Sequence, residues 1–330
     1  MFEESNIGFI GTYGDPTSVG DSALGGIDFN YINNSLPEGR QFIVRTYFMG
    51  SSSDKMDGDD AAFGVDVDYP NEPLDLHTTF RQNGSKFDPA LGFIDRRGIR
   101  FYRQAIRYVW RLNTTYVRTL SIGVVPLFKT DLANRIVEED HDLPFINILT
   151  PSGDSFYAML GLNRDVVDEQ FEIWDNVFIP ENDYRWKWGR LTLRSSDARA
   201  IGGMFSYRFG DFYDGSRSDY LVGFNWRPTK HFSSGFSYEL RDINLPEGSF
   251  IVRIASAKFD INFTPDIVLN NLIQYDNKSQ SLGWNSRFRW TLRPGNDLFL
   301  IVNNGYLFDD WHLRRQIFET TVKMALTFRF

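Results

Sequence analysis

Apolar and polar residues alternate with a period of two in one segment after another, and this pattern constrains the fold more than any other feature. In residues 318–330, Phe318, Thr320, Val322, Met324, Leu326, Phe328 and Phe330 share one parity. Glu319, Thr321, Lys323, Ala325, Thr327 and Arg329 share the other. Segment 282–293 sets Leu282, Trp284, Phe288, Trp290 and Leu292 against Asn285, Arg287, Arg289 and Arg293. Near the start, Phe63, Val65, Val67 and Tyr69 oppose Gly64, Asp66 and Asp68. Successive side chains of a strand point to opposite faces, so each segment reads as a strand with one apolar and one polar face.

Such strands have two solutions. A soluble sandwich buries the apolar face against a second sheet, whereas a membrane barrel presents it to lipid. The apolar parity here is rich in aromatics toward strand ends, as the girdles at membrane interfaces require. Aromatics make up 16% of the 330 residues, yet mean hydropathy is only −0.34, because half of every strand is polar. No run of 18 apolar residues exists, which excludes a membrane-spanning helix and leaves strands as the means of crossing. The segments fall at 5–14, 22–33, 39–50, 59–70, 74–83, 98–112, 117–130, 140–150, 154–165, 183–195, 199–213, 217–228, 231–243, 248–264, 266–276, 281–293, 296–308 and 317–330. The expected fold is all-β: one transmembrane antiparallel up-and-down β-barrel domain over residues 1–330, with about 18 strands, an even number as bacterial barrels prefer. A bulge near Gly189 is expected where Trp186 and Trp188 take one parity and Leu191 and Leu193 the other.

The connections sort by parity. Alternate ones are short and carry turn residues, as in Arg293-Pro294-Gly295-Asn296, Thr264-Pro265-Asp266, Pro151-Ser152-Gly153-Asp154 and Tyr69-Pro70-Asn71-Glu72-Pro73. The others read as longer and more acidic: 49–60, 84–98, 129–142, 166–183 and 308–317. Short periplasmic turns and long extracellular loops give outer-membrane barrels this asymmetry, with both termini periplasmic. The first residues lack the basic and apolar regions of a signal peptide, so a mature chain or a domain of a longer precursor is expected.

Net charge is −8 and there is no basic stripe, so nucleic acid is not expected as a partner. There is no cysteine, which excludes disulfides and thiolate metal sites. His77, His141, His231 and His312 show no metal-ligand spacing and no Gly-x-Ser-x-Gly occurs, so the expectation is a non-enzyme without cofactor or metal. Two acidic clusters, Asp54, Asp57, Asp59 and Asp60 and then Glu138, Glu139, Asp140 and Asp142, read as solvated loop tips and not as calcium loops. The residues around Phe171, Trp174 and Phe178 read as a hairpin standing above the membrane. Charges at polar-face positions define the candidate site: Arg103, Arg107, Arg111, Arg287, Arg289, Asp66, Asp68 and Glu239. A charge facing lipid at mid-depth costs ~2–4 kcal/mol, so these must face the lumen, either as a charged pore or as ion pairs that close it. The 84–98 connection, with Phe87, Pro89, Phe93, Arg96 and Arg97, has two readings. It folds inward as a constriction, or it packs on neighbouring loops.

Several stretches together resemble a known family: Gly11-Thr12-Tyr13-Gly14-Asp15-Pro16, Phe87-Asp88-Pro89-Ala90-Leu91-Gly92-Phe93-Ile94, Arg293-Pro294-Gly295-Asn296-Asp297-Leu298-Phe299 and Thr327-Phe328-Arg329-Phe330. They are similar to the C-terminal barrel of an uncharacterised outer-membrane family of Gram-negative bacteria, the domain of unknown function 5916 family. Its longer members carry an N-terminal carbohydrate-binding module. The resemblance implies a barrel and a carbohydrate-related role, and it supplies no catalytic motif. The terminal strand ending in Phe330 also resembles the signal read by the barrel assembly machinery. The expected function is a porin-like channel for small polar or sugar-like solutes in the outer-membrane lipid. The alternative is a non-conducting anchor for a carbohydrate-binding module.

Overall fold

A computed structural model describes residues 4–15, 20–54, 58–309 and 312–327. The expected end signal at Phe328 and Phe330, like Asp57, lies outside the described residues. Twenty strands are present, and eighteen form one sheet in which each strand pairs antiparallel with its sequence neighbours. Strands β10 (Phe171–Trp174) and β11 (Val177–Ile179) form a separate hairpin, as expected for the aromatic segment between β9 (Ser155–Val167) and β12 (Asn182–Arg194). The all-β, up-and-down fold class expected from the sequence is therefore what the chain adopts. Three expected spans, 74–83, 248–264 and 281–293, coincide with β5, β16 and β18.

Contacts divide the chain into two compact units. The first comprises Met1–Ile148 and Met159–Trp188, the second Leu149–Ala158 and Gly189–Phe330. In the first, β1 (Asn6–Tyr13), β2 (Ser22–Leu36), β3 (Arg40–Ser53), β4 (Gly58–Pro70), β5 (Leu74–Asn83), β6 (Ile99–Arg111) and β7 (Thr119–Asp131) pair in order. Their register places Asn30, Arg45, Asp66, Thr79 and Arg103 in one row across β2 to β6, all on the polar face. Of the exposed large apolar side chains on β1–β7, Phe9, Ile27, Phe48, Ile106, Trp110 and Ile122 lie on the opposite face.

The second unit repeats the arrangement. Strands β13 (Ile201–Phe212), β14 (Gly215–Thr229), β15 (Phe232–Leu245), β16 (Gly248–Thr264), β17 (Ile267–Asp276), β18 (Ser281–Arg293), β19 (Asn296–Asp309) and β20 (His312–Ala325) form successive hairpins. Phe205, Val222, Phe236, Phe259, Trp284, Leu300 and Met324 stand exposed on its apolar face. A sheet that leaves aromatic and aliphatic side chains in contact with neither another sheet nor a helix has buried its backbone polar groups but not its hydrophobic surface. Lipid is the solvent that resolves this, and fully paired strands are what lipid demands of a backbone.

The turns show two physical regimes. Register shifts recur where hairpins meet the short turns, at Asn33/Leu36, Trp226/Thr229, Asn262/Thr264 and Thr291/Arg293. Gly39 and Gly295, with φ of 70° and 87°, supply the left-handed residue that such turns need. At the other ends, several connections are shorter than their sequence implies. Strands β7 and β8 (Ile136–Leu149) close within four residues instead of leaving 129–142 as a loop, and β3 and β19 likewise run on to Ser53 and Asp309. Glu138, Glu139, Asp140 and Asp142 thus belong to a strand and not to a loop tip, with Lys129 Nζ 2.9 Å from Glu138 and Arg164 3.9 Å from Glu139. A hairpin that extends into water has two wet faces, so it loses alternation without losing pairing, and its residues read as a loop.

Two short turns are tied together in the second unit. Asp154 accepts from Arg199 Nη2 at 2.7 Å, from Ser152 Oγ at 2.7 Å and from the Ser196 backbone N–H at 2.9 Å. The Arg199 guanidinium, ahead of the other donors, holds the Asp154 carboxyl well below the usual carboxylate range. A group depressed in the fold stabilises it above its unfolded pKa, and that contribution fades as pH falls through the folded value. Asp154→Asn is therefore expected to lower the urea midpoint at neutral pH, followed by tryptophan fluorescence, with the difference vanishing only below the carboxylate range. A charge test of the faces is independent of this one. Val222→Arg, mid-strand on the apolar face, is expected to cost ~2–4 kcal/mol of folding stability in lipid vesicles, whereas Leu221→Arg on the polar face leaves it unchanged.

Candidate functional site

The polar-face charges expected to form the site separate into two groups. In the first unit, Asp66 accepts from Thr79 Oγ1 at 2.6 Å, with His77 Nε2 at 3.5 Å and Arg81 Nη2 at 3.6 Å. Arg107 pairs with Asp75, and Arg111 with Glu72. Arg103 sits between Thr79 and Leu127 across the sheet and has no ion-pair partner among the described residues. Asp68 likewise has none, facing His77 across β4 and β5. In the second unit, Arg287 lies over the Phe299 ring at 4.6 Å. Glu239 accepts from Arg241 Nε at 2.6 Å, and Arg289 lies cross-strand from Val268 and Phe299. Arg217 and Asp219 make a bidentate pair at 2.7 and 2.8 Å.

Asp66, Thr79 and His77 form a hydrogen-bonded chain, with His77 Nε2 3.0 Å from Thr79 Oγ1. Thr79 is 4% exposed, and its hydroxyl donates to the carboxylate, so the imidazole meets an oxygen whose proton is already committed. The arrangement positions a charge on the polar face and does not present a nucleophile. No group of three or more candidate metal ligands occurs among the described residues.

What dominates the first unit is the connection between β5 and β6. It turns back over the polar face of β2, β3 and β4. Phe87 is 2% exposed and packs on Leu24 and Ala62, with Met49 and Ile94 beside them. Asp88 anchors the segment next to it: its backbone N–H donates to Ser51 Oγ at 2.9 Å, and its carboxylate accepts from Ser53 Oγ at 3.2 Å and from Arg97 Nη2 at 2.6 Å. Arg97 Nε also donates to the Phe87 carbonyl at 2.8 Å. The neck is fixed by the Lys86 N–H on Asp60 at 2.8 Å and by the Gly98 N–H on the Gly84 carbonyl at 3.2 Å. A Cβ at position 84 would come within 2.0 Å of Asp60, so glycine is required for that approach. The loop thus packs on strand residues of the polar face.

Below the loop lies a cavity of about 490 Å³, lined in part by Ile10, Tyr47, Met49, Arg81, Phe93 and Asp95. The sequence flagged Phe87, Pro89, Phe93, Arg96 and Arg97 but not the anchors Ser51 and Ser53 on the facing strand, and Asp60, expected in a solvated loop tip, lies in β4 and accepts from the Lys86 N–H. Small polar residues at polar-face positions carry no signal until a partner is placed over them.

An eighteen-stranded up-and-down antiparallel sheet with one polar and one lipid-suited face defines a transmembrane β-barrel protein. Among solved structures, four chains match, one of them the Salmonella typhi OmpF complex with daunomycin. It is 10% identical, covers 82% of this chain and 88% of that chain, and has a TM-score of 0.42. No known family profile matches the chain. No curated protein matches it either.

Removing the anchor tests how the loop is held. Phe87→Ala is expected to cost ~3–5 kcal/mol locally and so to free the loop from the strands. Limited proteolysis should then cut within 85–98 in the variant and spare the parent.

Proposed function

We propose that the chain is an outer-membrane channel for small polar solutes, with the 84–98 loop narrowing the passage. The observation that carries this is the loop itself. A segment fixed by Phe87, Asp88 and Arg97 over a charged face is held away from the membrane side of the sheet and leaves a cavity beneath it. Arg103 and Asp68, on the same face and without an ion-pair partner among the described residues, are the kind of charges that orient a passing polar solute. In this reading the short turns and both termini face the periplasm, and the C-terminal Phe330 serves the barrel assembly machinery. A carbohydrate-related solute follows from the family resemblance of the Phe87–Ile94 and Arg293–Phe299 stretches.

Purified chain in planar lipid bilayers is expected to give stable single-channel current. Arg103→Gln should shift the reversal potential in a salt gradient toward cation preference, because it removes a positive charge from the path. A membrane that stays sealed with correctly folded chain in it would sink the channel and leave the non-conducting anchor.

A further inference from the structure

Exposed apolar side chains on β1–β7 lie on the apolar face, with one exception. Ile10 is 53% exposed and shares its face with Asp28 and Asn30, as the pairing of β1 with β2 shows. Two more exposed apolar residues, Leu91 at 54% and Phe93 at 89%, sit on the inward-folded loop. All three line the same cavity. Lipid accounts for the exposed residues of the opposite face but not for these, which stand on the polar side of the sheet in water. The loop that carries Phe93 is tethered on both flanks, by Phe87 and by the Arg97–Asp88 pair. The segment that carries the ring is therefore held on both sides of it.

The same cavity holds polar groups of opposite kinds. Arg81 and Asn83 bring donors, and Asp95 brings an acceptor. A cation would meet Arg81 and an anion would meet Asp95, whereas a hydroxyl can accept from the first and donate to the second. The lining is otherwise mostly apolar, with Met49 and Phe87 at its back, and about 490 Å³ accommodates a ring together with a polar group.

We propose that this cavity binds neutral compounds that join an aromatic ring to a hydroxyl-rich group, the ring on Phe93 and Ile10 and the hydroxyls toward Arg81 and Asp95. The inference rests on the channel reading for the route by which such a compound arrives.

The test is calorimetric titration of the full chain in lipid nanodiscs with phenyl β-glucopyranoside, against methyl β-glucopyranoside, benzoate and benzylamine. The phenyl glucoside is expected to bind at least about tenfold tighter than each of the others, the ratio that ~1.4 kcal/mol gives. Phe93→Ala should weaken it by about tenfold, and Ile10→Ser, which leaves the loop untouched, should weaken it as well. Phe224→Ala on the apolar face of the second unit should not. Equal binding of the two glucosides, tighter binding of either charged ring, or undiminished binding in both cavity variants would overturn the proposal. Open current without phenyl glucoside binding would sink the site and spare the channel; binding without current would do the reverse.

Discussion

The structure depends on where its apolar face goes. Hairpin pairing satisfies the backbone of the strands, but no second sheet covers Phe48, Trp110, Val222, Phe236 or Trp284. In water each such side chain, left unburied, forgoes about 1.5–3 kcal/mol. In lipid the balance reverses, and the alternative of an open polar backbone is what becomes prohibitive. One solvent for one face and water for the other explains both the alternation and the absence of a large core.

Once the apolar face is committed to lipid, every charge on the strands has only one place to lie. The consequence is a polar face crowded with ionisable groups, and the fold handles them by local pairing. Arg107 with Asp75, Arg241 with Glu239 and Arg217 with Asp219 are contacts between neighbouring strands or within one strand. Such pairs set the pattern of charge on that face. Arg103 and Asp68 stand out against that background because nothing among the described residues neutralises them.

At the β5–β6 loop the polar face acquires a small hydrophobic cluster. Its hold comes from complementarity at three points: a ring on Leu24 and Ala62, an Asp88 whose backbone N–H meets Ser51 while its carboxylate takes Ser53 and Arg97, and a glycine neck against Asp60. The cavity is the space left between that loop and the strands.

Alternation determined the strands, their number and their two faces, because lipid and water are uniform solvents and each residue meets only one of them. The Arg287 and Arg289 side of β18 and the Asp66 side of β4 were legible for that reason. Extension of the hairpins past the alternating stretch was not legible in Glu138–Asp142, since both faces there meet water while the backbone goes on pairing. Nor was the seat of the loop. Phe87 looked distinctive in sequence, but Leu24 becomes its partner, and Ser51, Ser53 and Asp60 those of the neighbouring Asp88 and Lys86, only when three strands set them side by side. A pairwise contact across the sheet depends on register and on the path of the loop, and neither is written in the period of any one strand.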